Sequence, residues 1–228
     1  MKHIILLRHG ESLWNLENRF TGWTDVELSE RGEQEAAQAG RKIKAAGLKP
    51  QYYFTSVLRR AIHTLQIAAQ EMERDWVPVC KDWHLNERHY GALQGLNKKT
   101  TAEKYGEEQV HEWRRSFDVL PPVLTPDDER WPGHDEKYAM LTPDEIPVAE
   151  TLQDTIARVR CCWEERIVPA LQTRGDVMIV AHGNSLRGLA MQLLHMTASE
   201  VVDLEIPTGK PWVFEVNDRL EVVNHYYL

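Results

Sequence analysis

Lys2-His3-Ile4-Ile5-Leu6-Leu7-Arg8-His9-Gly10-Glu11-Ser12 opens the chain and decides the fold. Ile4 to Leu7 are four apolar residues in a row, with no polar residue between them. A strand exposed on one face alternates apolar with polar; a strand buried on both faces does not. The run therefore predicts a strand over Lys2 to Leu7, inside a sheet covered by helices on both sides. Val177-Met178-Ile179-Val180-Ala181 has the same character and predicts a strand over Asp176 to Ala181. Arg8 and then His9-Gly10 follow the first run, and His182-Gly183 follows the second directly.

Between these strands the pattern changes to helical spacing. Ser29 is an N-cap for a helix to about Ala46, closed by Gly47 and Pro50. Tyr52 to Thr55 reads as a strand. Leu58, Ala61, Ile62, Leu65, Ala69 and Met72 mark the next helix, and a short strand follows near Val77. Leu152, Ile156, Val159, Trp163 and Ile167 predict one long helix, and Leu186, Leu189, Leu193 and Leu194 another. Thr197-Ala198-Ser199-Glu200 is a capping box. Trp212 to Val216 and Leu220 to His225 read as closing strands around an Asn217-Asp218 turn. Strands alternating with helices predict an α/β layer fold with a mostly parallel sheet, in a single domain over residues 1–228. Pro121 to Pro147 holds six of the eleven prolines among many acids. It reads as an insertion, spanning about residues 117–150, too polar and broken to be core and placed to act as a lid.

The 228 residues are 42% hydrophobic and 27% charged. That balance excludes a disordered or collagenous chain. A formal net charge of −8 argues against a nucleic-acid binder, although a locally basic cavity could still hold a small anion. Both apolar runs are far short of the roughly 20 residues that span a bilayer. No cleavage-type sequence follows the first run, so no signal peptide is expected. Cys80, Cys161 and Cys162 have no metal-type spacing. They are expected to be reduced thiols of a cytoplasmic protein, without a metal site.

In open α/β sheets, ligands bind beyond the carboxyl ends of the strands. Three strands end in Arg8-His9-Gly10, Ser56-Val57-Leu58-Arg59-Arg60 and His182-Gly183-Asn184-Ser185. If these strands are parallel neighbours, two histidines and Arg60 converge on one rim. A guanidinium fork matches phosphate oxygens, and nearby cations lower a histidine pKa, so that His9 stays neutral and nucleophilic. The chemistry that fits is phosphoryl transfer through histidine.

Leu7-Arg8-His9-Gly10-Glu11-Ser12-Leu13-Trp14-Asn15, with Asn18-Arg19-Phe20-Thr21-Gly22-Trp23, resembles the opening of the cofactor-dependent phosphoglycerate mutases, a family in the histidine phosphatase superfamily. The likeness continues through Leu58-Arg59-Arg60-Ala61, Leu85 to Gly91, Gln94 to Lys98, Trp113 to Ser116, Ala181 to Ser185 and Ile206-Pro207-Thr208-Gly209, essentially the whole chain. Arg-His-Gly alone marks the superfamily. The long N-terminal block with Glu87-Arg88-His89-Tyr90 and Arg114-Arg115 is specific to the mutases.

The resemblance implies a three-layer sandwich with a mostly parallel central sheet and the site at the strand carboxyl ends. It implies that His9 carries the phosphoryl group, that Arg8, Arg60 and His182 hold it, and that Glu87 shuttles the hydroxyl proton. Ser12, Asn15, Thr21, Gly22, Arg88, Tyr90, Lys98, Arg114, Arg115, Gly183 and Asn184 would line the substrate pocket with Arg8, Arg60 and Glu87. The implied reaction interconverts 3- and 2-phosphoglycerate in glycolysis and gluconeogenesis. The implied cofactor is 2,3-bisphosphoglycerate, as primer and intermediate, with no metal. The implied partners are small phosphorylated three-carbon acids and further copies of the chain, as a dimer or tetramer, with neither nucleic acid nor membrane.

A phosphatase of the same superfamily, a bisphosphoglycerate synthase and a non-catalytic binding protein remain the alternatives at this stage. Ser12 and Gly22 match the mutases rather than the synthases. Many family members carry a polar tail beyond the last strand. Here the sequence ends at His225-Tyr226-Tyr227-Leu228, so cover over the phosphohistidine is expected from Pro121 to Pro147, with a minor phosphatase side activity.

Overall fold

Ile4 and Leu6 pack on one side of the first strand, β1 (Lys2–Arg8), and Ile5 and Leu7 on the other; all four are fully buried. This two-sided burial is why the run carries no polar residue. The computed structural model describes residues 1–228. The other strands are β2 (Tyr52–Thr55), β3 (Val79–Lys81), β4 (Val177–Ala181), β5 (Trp212–Val216) and β6 (Val222–Tyr227). They form one sheet in the order β3-β2-β4-β1-β5-β6. The first four are mutually parallel, and β5 and β6 continue the sheet by antiparallel pairing.

The helices are α1 (Leu13–Leu16), α2 (Glu30–Ala45), α3 (Arg59–Glu71), α4 (Lys98–Tyr105), α5 (Glu107–Arg115), α6 (Leu152–Cys162), α7 (Val168–Arg174), α8 (Gly183–Leu194) and α9 (Ala198–Asp203). On one face of the sheet, Ala39 and Ile43 of α2 and Leu65, Ala68 and Ala69 of α3 cover Ile5, Leu7, Met178 and Val180. On the other face, α6, α7 and α8 cover Ile4, Leu6, Val177 and Ile179. The result is the three-layer α/β sandwich with a mostly parallel sheet that the sequence predicts.

Three details differ from the expectation. The stripe from Leu152 to Ile167 is not one regular helix: a π-turn at Trp163–Ile167 separates α6 from α7. Pro169 cannot donate to a carbonyl four residues back and its ring crowds that position, so the preceding turn widens. The third strand lies at Val79–Lys81, while Val77 is buried in the lead-in. The last strand begins at Val222, because Leu220 takes a left-handed φ of 63° in a turn held by Asn217.

The insertion differs more. Residues 121–147 form neither α-helix nor strand, only short 3₁₀ turns. Yet Leu124, Tyr138 and Ile146 are buried, and Tyr138 and Ile146 pack on Trp23 in a small core of their own. Asn86 Nδ2 donates to the Tyr138 hydroxyl, Arg130 donates to the carbonyls of Ala92 and Gln94, and Lys137 pairs with Asp25. The expectation that this segment is too polar for core is corrected: its few apolar residues are spaced to meet Trp23. No helix is long and apolar enough to cross a membrane.

Candidate active site

Sheet register brings the two histidines together. Arg8 pairs with Ala181 at the carboxyl ends of β1 and β4, and the His9 N–H donates to the Ala181 carbonyl at 3.0 Å. His9 and His182 therefore leave adjacent strands side by side, with ring centroids 5.0 Å apart. On the far side of β4, Thr55 pairs with Val180. The next residue, Ser56, sets its Oγ 2.8 Å from His182 Nε2.

His9 is buried, and its Nδ1 lies 2.6 Å from the Gly10 carbonyl oxygen. A carbonyl can only accept, so Nδ1 carries the proton and Nε2 keeps its lone pair. The Gly10 N–H in turn donates to Thr64 Oγ1, which donates to the Arg60 carbonyl. Gly10 packs directly against the Gly32 carbonyl at the start of α2, leaving no room for a Cβ. Burial, then Arg60 and Arg8, hold the His9 pKa well below its ordinary value against the opposing Gly10 bond. Burial does the same to His182, helped by Arg60 and His9.

These depressed values predict a stability effect. Burial also pushes His89 down to about 3. Below the ordinary pKa of about 6.5, an unfolded histidine takes up a proton that its native counterpart refuses. Unfolding free energy is thus expected to be flat above about pH 7 and to fall below about pH 6.5. The three histidines together give a slope of at most about 4 kcal/mol per pH unit. Urea midpoints between pH 7.5 and 5.5 measure it. Stability that is constant or rising toward pH 5.5 would show that these histidines are not buried neutral.

Arg60 is 1% exposed and sits in the first turn of α3. Its Nη1 donates to the Thr24 carbonyl at 2.9 Å and its Nη2 to the Gly22 carbonyl at 2.7 Å. Burial lowers its pKa to about 10, so it remains a cation at neutral pH. Gly22 takes a φ of 55°, and a Cβ there would collide with Gln94, whose Oε1 accepts from the Trp23 N–H. Arg8 donates through Nη1 to the Ile206 carbonyl at 2.9 Å. Arg8 Nε, Thr21 Oγ1 and His182 Nδ1 are all buried polar atoms without a partner. Buried polar atoms are rarely left unpaired, and this group suits an anion that would pair with them.

Glu87 approaches from a separate segment. Its Oε1 accepts from the Arg88 N–H at 2.8 Å and from the Asn184 N–H, at the start of α8, at 3.1 Å. Its Oε2 and the Arg8 guanidinium both face Gly183, where an added Cβ would lie 3.7 Å from each. Asn184 Nδ2 donates to the Tyr90 hydroxyl at 3.2 Å.

One cavity unites these groups. Arg8, His9, Arg60, Glu87, Gly183 and Asn184 form its floor; Asn15, Thr21, Gly22, Tyr90, Lys98, Arg114 and Arg115 complete the expected lining. Burial and the neighbouring Arg114 and Arg8 charges lower Lys98 to about 8.

Two expected lining residues are elsewhere. Ser12 is buried as the N-cap of α1: its Oγ accepts from the Asn15 N–H, and its own N–H donates to Asn15 Oδ1. Arg88 is fully buried, with Nε on the Glu150 carbonyl and Nη2 on the Val119 carbonyl. His182, expected to hold the phosphoryl group, is not among the residues on the wall; its ring centroid lies 5.0 Å from that of His9. No residue of the 117–150 insertion lines the cavity. In this structure the insertion is anchored over Trp23 instead.

Five lining residues were not singled out from the sequence: Arg19, Phe20, Arg187, Glu205 and Ile206. Helical spacing could have found Arg187, which lies one turn beyond Gly183 and Asn184 and donates to Asn184 Oδ1 at 3.0 Å. Glu205 carries no local signal; it pairs with Arg115 at 2.5 Å, joining the end of α5 to the segment after α9. No three His, Cys, Asp or Glu side chains are grouped as a metal site requires.

A neutral buried imidazole beside fixed cations and a carboxylate defines a class, enzymes that transfer phosphoryl groups through histidine. The family model described as Histidine phosphatase superfamily (branch 1) matches residues 4–130 and 124–227, and the chain belongs to that superfamily. Solved structures agree on the fold. A mycobacterial glucosyl-3-phosphoglycerate phosphatase is 23% identical with a TM-score of 0.71, the match covering 99% of this chain and 96% of that one. A putative alpha-ribazole-5'-P phosphatase from Escherichia coli K-12 is 19% identical, with a TM-score of 0.72 over 100% and 95%. The alpha-ribazole phosphatase from Shigella flexneri is 20% identical, with a TM-score of 0.66 over 96% and 93%.

Proposed function

We propose that this protein is a 2,3-bisphosphoglycerate-dependent phosphoglycerate mutase, an isomerase that interconverts 3- and 2-phosphoglycerate. The observation that carries the reading is the charge of the cavity. Seven cationic side chains (Arg8, Arg19, Arg60, Lys98, Arg114, Arg115 and Arg187) line it against two carboxylates, Glu87 and Glu205. One phosphate does not need that many. A ligand with two phosphates and a carboxylate does, and it fits a chain that is otherwise acidic.

In this reading His9 Nε2 begins phosphorylated by 2,3-bisphosphoglycerate. The C2 hydroxyl of 3-phosphoglycerate attacks phosphorus as Glu87 takes its proton, and the N–P bond breaks. The bisphosphate then presents its C3 phosphate. His9 Nε2 attacks, the P–O bond breaks, and Glu87 returns the proton to the leaving oxygen. Arg8, Arg60 and His182 stabilise charge on the transferring group. No step needs a metal. Cytoplasmic location and assembly into a dimer or tetramer belong to the same proposal.

The names of the similar structures support a second reading, in which water takes the phosphoryl group. Labelled 2,3-bisphosphoglycerate separates the two. Acid-labile label on His9 that passes to added 3-phosphoglycerate is the mutase result. Release mainly as inorganic phosphate would make the protein a phosphatase.

Arg114 has no hydrogen-bond or ion-pair partner, and Arg115 holds only Glu205. Both stand on α5, apart from the histidine floor. Arg114→Ala or Arg115→Ala is expected to weaken phosphoglycerate binding by about 1.5–3 kcal/mol, roughly 10–100-fold. Phosphorylation of His9 is expected to change much less. Substrate titration and single-turnover labelling read the two effects. Collapse of labelling with affinity intact would reverse the assignment.

A further inference from the structure

Outside the cavity, the strongest polar cluster is a buried ion pair. Arg158 of α6 and Glu150 are both nine-tenths or more buried. Arg158 Nε donates to Glu150 Oε1 at 2.6 Å and Nη2 to Oε2 at 2.9 Å. The other three guanidinium protons do not go to side chains. Nη1 donates to the carbonyls of His84 (2.6 Å) and Asn86 (2.9 Å), and Nη2 to the carbonyl of Glu87 itself (2.8 Å). All five donors of the fork are used.

Glu150 completes the clamp. Its Oε2 accepts from the His89 N–H at 2.8 Å, and its own N–H donates to the His89 carbonyl at 2.8 Å. Together these bonds fix the backbone of residues 84–89, with Glu87 at the centre. This stretch is irregular, a 3₁₀ turn followed by extended chain, so no sheet ladder or helix holds it. A buried ion pair is a weak source of stability, since apolar residues of equal volume often do as well. It is a strong source of geometry, because a planar fork fixes several acceptors at once.

We infer that Arg158 and Glu150 are positioning residues, which hold the 84–89 backbone so that Glu87 meets the oxygen of the substrate. The inference rests on the reading of Glu87 as the proton carrier. In the step concerned, His9 Nε2 bonds to phosphorus, the P–O bond breaks, and Glu87 protonates the departing oxygen. An alkyl phosphate needs that proton. A p-nitrophenyl phosphate does not, because its phenolate leaves unaided.

The test compares single-turnover phosphorylation of His9 by 2,3-bisphosphoglycerate with the nitrophenolate burst from p-nitrophenyl phosphate. The variants are Arg158→Lys, which keeps the charge and loses the fork, and Glu150→Gln, which keeps the shape. A displacement of about 1 Å can cost about 100-fold in rate. Each variant is expected to lower the bisphosphoglycerate rate roughly 10–100-fold (by analogy with that figure) relative to the nitrophenolate burst. The burst also reports whether the variant is folded. Glu87→Gln is the reference and is expected to skew the same ratio at least as far.

If Glu87→Gln leaves the ratio unchanged, Glu87 is not the proton carrier, and the functional reading fails with it. If Glu87→Gln skews the ratio and neither Arg158→Lys nor Glu150→Gln does, the positioning role is wrong. Equal loss of both rates in both variants, with unfolding midpoints lowered in parallel, would make the pair purely structural and overturn the inference.

Discussion

Replacing His9 with alanine is expected to abolish turnover, with a loss of roughly 10⁵–10⁶-fold, the scale seen when a covalent nucleophile is removed. The reason is geometric as well as chemical. The Gly10 carbonyl fixes the proton on Nδ1, and burial with Arg8 and Arg60 keeps the ring neutral, so Nε2 is the one prepared nucleophile. His182 cannot substitute, because its Nε2 is held against Ser56 Oγ and it does not line the cavity. Incubation with labelled 2,3-bisphosphoglycerate should leave acid-labile phosphate on the wild-type chain and none on His9→Ala. Retention of more than about a tenth of turnover would remove His9 from the covalent role.

Arg60→Lys is expected to cost about 10²–10³-fold in turnover, although the charge is conserved. Lysine keeps a point charge but loses the fork that spans the Gly22 and Thr24 carbonyls. Those two bonds seat the Thr21–Thr24 turn, which brings Thr21 and Gly22 to the cavity. In the proposed mechanism, the substitution therefore removes both a donor to the phosphoryl group and the anchor of one wall. Steady-state turnover with saturating substrate measures the loss. A change below about threefold would show that charge alone suffices, and the wall argument would fall.

Where local chemistry has one outcome, the sequence was readable. Ile4 to Leu7 and Val177 to Ala181 could only be strands buried on both faces, since no polar position is left to meet water. The helix over Glu30–Ala45 keeps closely to its Ser29 cap. Strand-end histidines were legible for the same reason: parallel neighbours such as β1 and β4 must deliver their next residues, His9 and His182, to a common rim. Ser12 shows the opposite case. A serine ahead of a short helix has two uses, ligand contact or capping, and only the bonded Asn15 decides between them.

The sequence by itself determined the layered α/β fold, the two histidines and Arg60 at the strand ends, and, through the motifs they sit in, the superfamily. The tertiary structure decided what depends on partners distant along the chain. It turned Arg88 inward onto the carbonyls of Val119 and Glu150, and placed Arg187 and Glu205 on the cavity. It anchored the proline-rich insertion on Trp23 rather than over the site. It also joined Arg158 to the carbonyl of Glu87, 71 residues away in sequence. The physical reason is common to all of these. Apolar burial is set by short-range periodicity, which a sequence displays, whereas a buried polar group must find specific donors or acceptors, and those exist only once the chain has folded.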